Sequence, residues 1–436
     1  MTQNNSGLEI VFPLKKWPKP AASAVFSLQW MVILVPGLLV MGEVVASAQG
    51  LDPGRQVEFL QRLLLLCAVV QIGQVLAGHR LPGLVGPSAV LMVGILGTVE
   101  AGLPAVYGAI AVGGALTALL GLTGLAARLG RVFTPPILAT TLILISVTLV
   151  PSVRNLVFHP STAGGGIGSF LFSLAVVAAM FWGQHRLKGL WASASVLLGM
   201  IAGALVYHVF GLGPAVSHSL AAESVFSLPS LFPEGVSFDP AVIAAFLVFY
   251  LAVISNELAT VETLGDLIKA PGMQGRRNRT LLAGGLGGVL AAFMGVPGPV
   301  TYSVSPGVVI ASKSASSYTL LPMAGILILM ALWPKGLALF GLVPPPVVGA
   351  VLFFLLASTF YAALLILMTD TGSGDWNGGI VVGVSMVAGI LVTFMPENVK
   401  DALPAMLQPI LANGFVVGLV LALLLEHVIL RKKKRD

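Results

Sequence analysis

The stretch GVPGPVTYSVSPGVVIASK, residues 295–313, lies between two apolar runs, but its Pro-Gly-Pro sequence interrupts any continuous membrane helix. Apolar and polar residues alternate over residues 300–304, which predicts a short strand. Ser305 is a suitable N-cap and Pro306 suits the first helical position, so an apolar half-helix is predicted to follow. Non-helical backbone at membrane depth is tolerated only where it is buried in protein or lines a wet cavity. The stretch therefore has the outline of a transporter binding site.

The composition places the whole chain in a membrane. Of its 436 residues, 57% are hydrophobic and only 9% are charged, which excludes an ordinary soluble enzyme. Apolar runs long enough to cross a bilayer recur throughout, so we predict an all-α polytopic membrane protein. The single cysteine, Cys67, excludes an internal disulfide. The net charge of +6 comes from basic residues scattered between spans, which does not indicate binding to nucleic acid.

The apolar runs predict fourteen spans. These are residues 22–45, 57–78, 82–98, 105–124, 134–151, 166–184, 189–211, 240–268, 280–296, 300–313, 319–333, 344–367, 377–395 and 404–430. With both termini cytoplasmic, 18 of the 23 basic residues fall on the cytoplasmic side, a strong positive-inside asymmetry. We therefore expect a multi-pass protein of a bacterial-type plasma membrane with both termini inside.

Two landmarks indicate an internal repeat. Residues 81–83 resemble residues 296–298 in the two broken spans, three and ten, and Phe-Thr-Pro-Pro at 133–136 resembles Leu-Val-Pro-Pro at 342–345. Chance placement of proline and glycine is the alternative. Seven spans per half is an odd number, so the two repeats would have opposite orientations in the membrane. The predicted organisation is a cytoplasmic lead, a first repeat, an external connector, a second repeat and a basic cytoplasmic tail, at residues 1–21, 22–211, 212–239, 240–430 and 431–436.

Span eight contains three acids, Glu257, Glu262 and Asp266, in an otherwise apolar run. Each is costly in a membrane unless it is paired, hydrated or protonated, and no Lys or Arg is expected in the centre of any span to pair with them. Glu262 and Asp266 share a helix face and suit hydrogen bonding to a polar substrate or binding of a proton. The alternative, a structural carboxylate bonded to helix ends or hydroxyls, is favoured for Glu257. Gln29 of span one either bonds a neighbouring helix or lines the cavity.

Four segments resemble the nucleobase–ascorbate transporters, the family of uracil, xanthine and urate permeases. These are the Glu-Thr-Leu-Gly-Asp element at 262–266, the glycine-rich residues 284–290, the half-helix signature at 302–313 and the entry to span five at 129–135. Gly307, Ser312 and Lys313 fit the signature. The chain departs from the family pattern at Trp30, Gly284, Val304 and Ser305, where members often have His, Asp, Gln or Glu, and Asn.

The resemblance implies a core domain of spans 1–4 and 8–11 that moves against a gate domain of spans 5–7 and 12–14, commonly in a homodimer. It implies that Glu262 bonds the ring N–H groups of a base, that backbone at Ala89 and Ser303 completes the contacts, and that Asp266 takes part in proton coupling. The remaining candidates for substrate contact are the residues beside these positions, namely Gln29, Ser88, Tyr302, Val304 and Ser305.

We therefore expect a secondary transporter, not an enzyme, that carries a nucleobase or a similar small planar polar compound. The coupling ion would be a proton, with sodium as the alternative, and no other cofactor is expected. A transporter of small anions such as bicarbonate, sulfate or a dicarboxylate is the competing hypothesis, because an anion would use the half-helix dipoles and would not require a polar residue at Val304.

Overall fold

The computed structural model describes residues 11–14, 16–124, 132–158, 165–210, 224–231, 233, 235–370, 376–404 and 406–430. Several predicted features lie outside the described residues. They are residues 1–10 of the N-terminal lead, residues 129–131 of the entry to span five, residues 212–223 of the connector and the basic tail 431–436.

One group of helices, here called the core group, contains both broken spans. Its elements in the first half are α1 (Pro20–Ala48), α2 (Pro53–Leu76), β1 (Val85–Pro87), α3 (Ala89–Leu96) and α4 (Leu103–Thr123). Those in the second half are α10 (Pro240–Ile268), α11 (Met273–Met294), β2 (Pro299–Thr301), α12 (Ser305–Ser312) and α13 (Leu320–Ala331). The two halves interleave, because α4 packs along α10 and α11 while α2 packs along α13.

The remaining helices form a second group, here called the gate group. Its first part is α5 (Pro135–Thr148), α6 (Val150–Val157), α7 (Gly165–Arg186), α8 (Leu190–Ser193) and α9 (Ser195–Val209). After the short α14 (Pro334–Ala338) it continues with α15 (Pro345–Asp370), α16 (Trp376–Thr393), α17 (Glu397–Asp401), α18 (Gln408–Leu411) and α19 (Gly414–Leu424), which runs on into a π turn. Helix α15 packs on α5 and α7, and α16 packs on α5 and α19.

The described residues contain eight helices that are long and apolar enough to cross a membrane. A ninth span results if the segments Ser317–Ala331 and Pro334–Leu342, which are bent by 85° at Trp333, are counted together. The structure therefore supports a polytopic helical protein, while the predicted number of fourteen spans remains a prediction. Spans seven and fourteen, predicted as single runs, are each divided into two helices at Ala194 and at Ala412–Asn413.

Corresponding elements of the two halves match in length. Helices α1 and α10 each have 29 residues and each begins at a proline. Helices α3 and α12 each have eight residues and begin 216 positions apart in the sequence. The strands that precede them pair antiparallel, with Gly86 opposite Val300. Antiparallel crossing of corresponding strands is the arrangement that two oppositely oriented repeats would produce.

Glycines set the distance between α4 and α11, which carries the glycine-rich segment of span nine. A Cβ atom at Gly114 would lie 2.7 Å from the backbone nitrogen of Val289, and one at Gly285 would lie 2.6 Å from the backbone oxygen of Gly114. Only hydrogen fits at these positions, so the two helices touch backbone to backbone. This contact fixes α11 behind β2, where it supports the candidate site.

Candidate functional site

The site begins at the crossing of the two broken spans. Strands β1 and β2 pair with Val85 opposite Thr301, and the pairing extends through the bond from the Tyr302 backbone nitrogen to the Leu84 oxygen, at 2.7 Å. After its strand, each broken span continues into an eight-residue helix whose first turn starts close to the crossing. The N–H groups and positive dipole ends of the two half-helices therefore lie at the two ends of one short pair of strands, with the start of α3 beside Gly298 and the start of α12 beside Leu84.

Tyr302 fastens this crossing from the second half to the first. A Cβ atom at Gly86 would lie 2.5 Å from the Tyr302 hydroxyl oxygen and 2.8 Å from the Leu34 side chain, so glycine is required there. The Tyr302 hydroxyl donates to the backbone oxygen of Pro87 at 3.3 Å. Tyr302, predicted as a substrate contact, therefore packs against the opposite strand.

Two of the three serines among the predicted substrate contacts, Ser88 and Ser305, are buried and already bonded. The Ser305 hydroxyl donates to the Tyr302 oxygen at 2.6 Å and accepts from the Leu84 nitrogen at 3.0 Å. It ties the two broken spans together and is not the predicted N-cap, because α12 starts one residue earlier than expected, after Val304. The Ser88 hydroxyl accepts from the Leu91 nitrogen at 3.3 Å and caps α3.

Ser303 lies on the exposed link between β2 and α12 and meets two side chains of α10. Its hydroxyl donates to the Asn256 side-chain oxygen at 2.8 Å and lies 3.2 Å from the Thr260 hydroxyl oxygen. Asn256 and Thr260 are four residues apart and share one helix face. We call Asn256, Thr260 and Ser303 the polar row. Ser303 is among the substrate contacts predicted from sequence, whereas its two partners are not; two uncharged polar residues at i and i+4 on one helix are the signal that could have identified them.

The link also opens onto free space. Val304 is 47% exposed although it lies between a buried strand and a half-buried helix, and a Cβ atom at Gly307 would meet nothing within 4 Å. Ala89, at the start of α3, is partly exposed. A small polar molecule could therefore approach the polar row from the side of Val304 and reach the start of α12.

The acids of α10 lie in different surroundings. Glu262 forms an ion pair with Arg277, which corrects the expectation that no basic residue could pair with the acids of span eight. Arg277 lies in the second turn of α11, whereas the sequence prediction starts span nine at residue 280 and leaves Arg277 in the preceding loop. Glu262 lies six residues beyond Asn256, about 9 Å along the helix axis, and Asp266 lies further on and is exposed. The structure does not bring either acid to the polar row, and their roles in substrate binding and proton coupling stay predictions.

Glu257 lies against β2 instead. It is buried, and its two carboxylate oxygens accept from the Thr301 backbone nitrogen and the Thr301 hydroxyl, both at 2.6 Å. The neighbouring Asn256 side chain donates to the Thr301 backbone oxygen at 3.5 Å. The consecutive residues Asn256 and Glu257 of α10 thus both form hydrogen bonds with Thr301, the last residue of β2.

Gln29 bridges the two groups of helices. It is buried on α1 of the core group, and its side-chain nitrogen donates to the Ser193 hydroxyl of α8 in the gate group at 3.3 Å. This geometry corresponds to the interhelical bond that the sequence left open as one of two alternatives. Two strands crossing between half-helices, with a polar row beside them, agree with the family that the motifs suggested.

Comparison with known proteins decides the family. The family model described as Permease family (Xan_ur_permease) matches residues 21–398, which is most of the chain. This chain belongs to the nucleobase–ascorbate transporters. It is 27% identical over 425 residues to the uric acid permease PucK of Bacillus subtilis, covering 92% of this chain and 93% of that protein. It is 25% identical over 431 residues to the nucleobase transporter PlUacP of Paenibacillus larvae, covering 94% and 95%.

A solved structure shares the fold of this nucleobase–ascorbate transporter. The transmembrane domain of the cyanobacterial bicarbonate transporter BicA superimposes with a TM-score of 0.63 over 85% of this chain and 96% of that domain, at 16% identity. At this identity the likeness concerns the fold alone. The family match and the apolar helices together make the chain a multi-pass membrane protein, and its relatives are named as transporters rather than as enzymes.

Proposed function

We propose that this permease is a secondary active transporter that carries a purine base of the xanthine or urate type by proton symport, through movement of the core group against the gate group. The observation that carries the proposal is the polar row beside the crossing of the two broken spans. The choice of a purine follows the name of the relative PucK, a uric acid permease. The small-anion hypothesis is not favoured, because the likeness to an anion transporter concerns the fold alone.

The polar row suits the edge of a planar base. The Asn256 side chain supplies one acceptor and two donors, and the hydroxyls of Thr260 and Ser303 each donate and accept. In the free protein these groups bond one another at 2.8 and 3.2 Å. A base that replaces those contacts with its ring N–H and carbonyl groups would leave no polar group unsatisfied. A purely apolar ligand would lose those hydrogen bonds, so the row selects for a polar edge.

Several further features belong to this proposal. The protein would act as a homodimer in a bacterial plasma membrane with both termini cytoplasmic, and sodium is the alternative coupling ion. No cofactor beyond the coupling ion is proposed. Orientation can be checked by labelling single cysteines placed at the ends of α2 and α11 in intact cells, after Cys67 has been replaced by Ala.

The first experiment is a thermal-stability screen of the purified protein with xanthine, urate, uracil, bicarbonate and sulfate. A ligand that binds only the folded state, present at a concentration of about 100 times its dissociation constant, raises the free energy of unfolding by roughly 2.7 kcal/mol. We expect stabilisation by xanthine or urate. Stabilisation by bicarbonate or sulfate alone would contradict the proposal.

The second experiment tests the polar row directly. Asn256→Ala should lower the affinity for the stabilising base about tenfold or more, because one net hydrogen bond to a polar ligand contributes about 1.5 kcal/mol. Thr263→Ala is a matched control on the same helix, since Thr263 is exposed and its hydroxyl donates to the Ala259 oxygen one turn earlier in α10. Equal affinities of the two variants would show that the row does not bind the base.

A further inference from the structure

Glu257 is a buried carboxylate whose bonds lie entirely on one residue of the second broken span. Its side chain is 5% exposed near the middle of the 29-residue α10. Both oxygens accept hydrogen bonds at 2.6 Å from Thr301, one from the backbone nitrogen and one from the hydroxyl. Thr301 is 0% exposed and pairs with Val85 of β1. The carboxylate is therefore part of the strand crossing itself.

Within the described residues, no basic side chain faces this carboxylate. It borders a small cavity of about 10 Å³ whose other lining residues come from α4, α10, α11 and β2 and include no charged group. Tyr250, the other titratable group there, donates its hydroxyl to the Ile110 oxygen at 3.0 Å. Arg276, one turn from Thr280, instead directs its guanidinium to the backbone oxygens of His79 and Arg80.

A buried carboxylate with no counter-ion is held in its charged form only by the hydrogen bonds that it accepts. Binding of a proton would change those bonds at Thr301. The ionised group accepts from both the N–H and the hydroxyl, whereas the protonated group has one oxygen that must donate. When the proton is on the oxygen that faces the Thr301 hydroxyl and points toward it, that hydroxyl accepts and its own hydrogen turns away from Glu257. Proton binding would thus alter the bonding at the end of β2, two residues before Ser303.

We propose that Glu257 is the proton-binding group that couples the proton gradient to substrate movement in this transporter. The proposal rests on the proposed function and assigns to Glu257 the coupling that the family motif had suggested for Glu262 and Asp266. The proton comes from water on one side of the membrane, adds to a carboxylate oxygen of Glu257, and returns to water on the other side. No other covalent bond forms or breaks.

The contrast with Glu262 supports this assignment. Glu262 has a cationic partner in Arg277, and its side chain is 42% exposed. Glu257 has neither advantage. Its contact with Thr301 also links it to the polar row, because Asn256 bonds both the Thr301 oxygen and Ser303.

Glu257→Gln is the decisive variant, because glutamine can accept from the Thr301 nitrogen and donate to the Thr301 hydroxyl, preserving both contacts without a proton site. In proteoliposomes that contain a pH-sensitive dye, substrate-driven proton entry should be lost, while binding of the base is retained. Reciprocity between the two ligands also predicts that the affinity of the wild type rises as pH falls, by up to about tenfold per unit, and that the affinity of the variant does not. Glu43→Gln is the control, since Glu43 is another acid within an apolar helix, with Ser47 as its hydroxyl partner.

Substrate-driven proton entry that persists in Glu257→Gln would overturn the proposal. Loss of proton entry in Glu262→Gln, with proton entry retained in Glu257→Gln, would assign the coupling to Glu262 instead. A second measurement does not depend on the substrate. Infrared spectra of the protein without ligand, titrated with pH, should show a carboxylic-acid band that is missing from Glu257→Gln and present in Glu43→Gln. If no base binds the wild type, the proposed function fails, while this band still reports whether Glu257 takes up a proton. An unchanged band in Glu257→Gln would overturn the inference.

Discussion

The two broken spans have the same scaffold but different chemistry. Each consists of a three-residue strand followed by an eight-residue helix, and the strands pair with each other. In the first, Ser88 alone links strand to helix, and it is buried. In the second, three residues, 302–304, form the link, and two of them are exposed. The first segment therefore serves as a template, and the longer link of the second offers polar groups to a ligand.

The largest effect should come from overfilling the crossing. In Gly86→Val, the added side chain would collide with the Tyr302 ring and the Leu34 side chain, which already fill the space beside Gly86. Overpacking of this kind typically costs about 1–3 kcal/mol, and more where the neighbour cannot move. We expect a large fall in melting temperature or loss of folded protein, measured by size-exclusion fluorescence. Val300→Ala changes the register partner of Gly86 and should be much milder, so an equal loss in both variants would show that Tyr302 does not fasten the crossing.

The next effect separates binding from scaffold. Ser303→Ala removes the exposed hydroxyl that bonds Asn256 and Thr260, so we expect base affinity to fall about tenfold. Stability should change little, because Ser303 is exposed. Titration of the purified variant with the base found in the stability screen measures the affinity. An unchanged dissociation constant would remove Ser303 from the site.

The corresponding serine of the first span should behave in the opposite way. Ser88→Ala removes the cap of α3, which typically costs about 1 kcal/mol of stability. Because the Ser88 hydroxyl is buried and bonded to the Leu91 nitrogen, base affinity in the folded variant should stay within about twofold of the wild type. Thermal unfolding and ligand titration of the same sample check both parts. A tenfold loss of affinity would return Ser88 to the substrate contacts that the sequence analysis predicted.

The local features of this architecture could be predicted from sequence, because proline, glycine and alternating residues act within a few positions. The break after Gly295, the presence of a short strand and the half-helix that ends at Ser312 follow from that chemistry, although the strand predicted over residues 300–304 is found at Pro299–Thr301. The bond between Ser305 and Leu84 could not be predicted, because it joins segments more than 200 residues apart. The pairing of Arg277 with Glu262 has a different cause: the two residues are only 15 positions apart, but the sequence prediction puts Arg277 in the loop before span nine, whereas the structure puts it in the second turn of α11.

The motifs identified the correct family. They also suggested Glu262 and Asp266 as site residues, and in the structure these two acids lie away from the polar row. The Glu-Thr-Leu-Gly-Asp element drew attention to Glu262, whereas the residues of α10 that meet the second link are Asn256 and Thr260. A motif specifies residue types at a spacing, and only packing shows which helical turn faces the crossing. Periodicity could have helped, since the residues at 256 and 260 share a face.

The smallest effect on stability, and the most informative one for specificity, is expected at Val304. It is 47% exposed at the mouth of the site, so Val304→Gln should change stability by less than about 0.5 kcal/mol. The new amide would place a donor and an acceptor beside the polar row, at the position where other family members have glutamine or glutamate. We expect a change of a few-fold in the ratio of dissociation constants for xanthine and uracil, measured by competition with a labelled base. An unchanged ratio would mean that the base binds on the Asn256 side of the link and does not reach Val304, which would confine the site to the polar row.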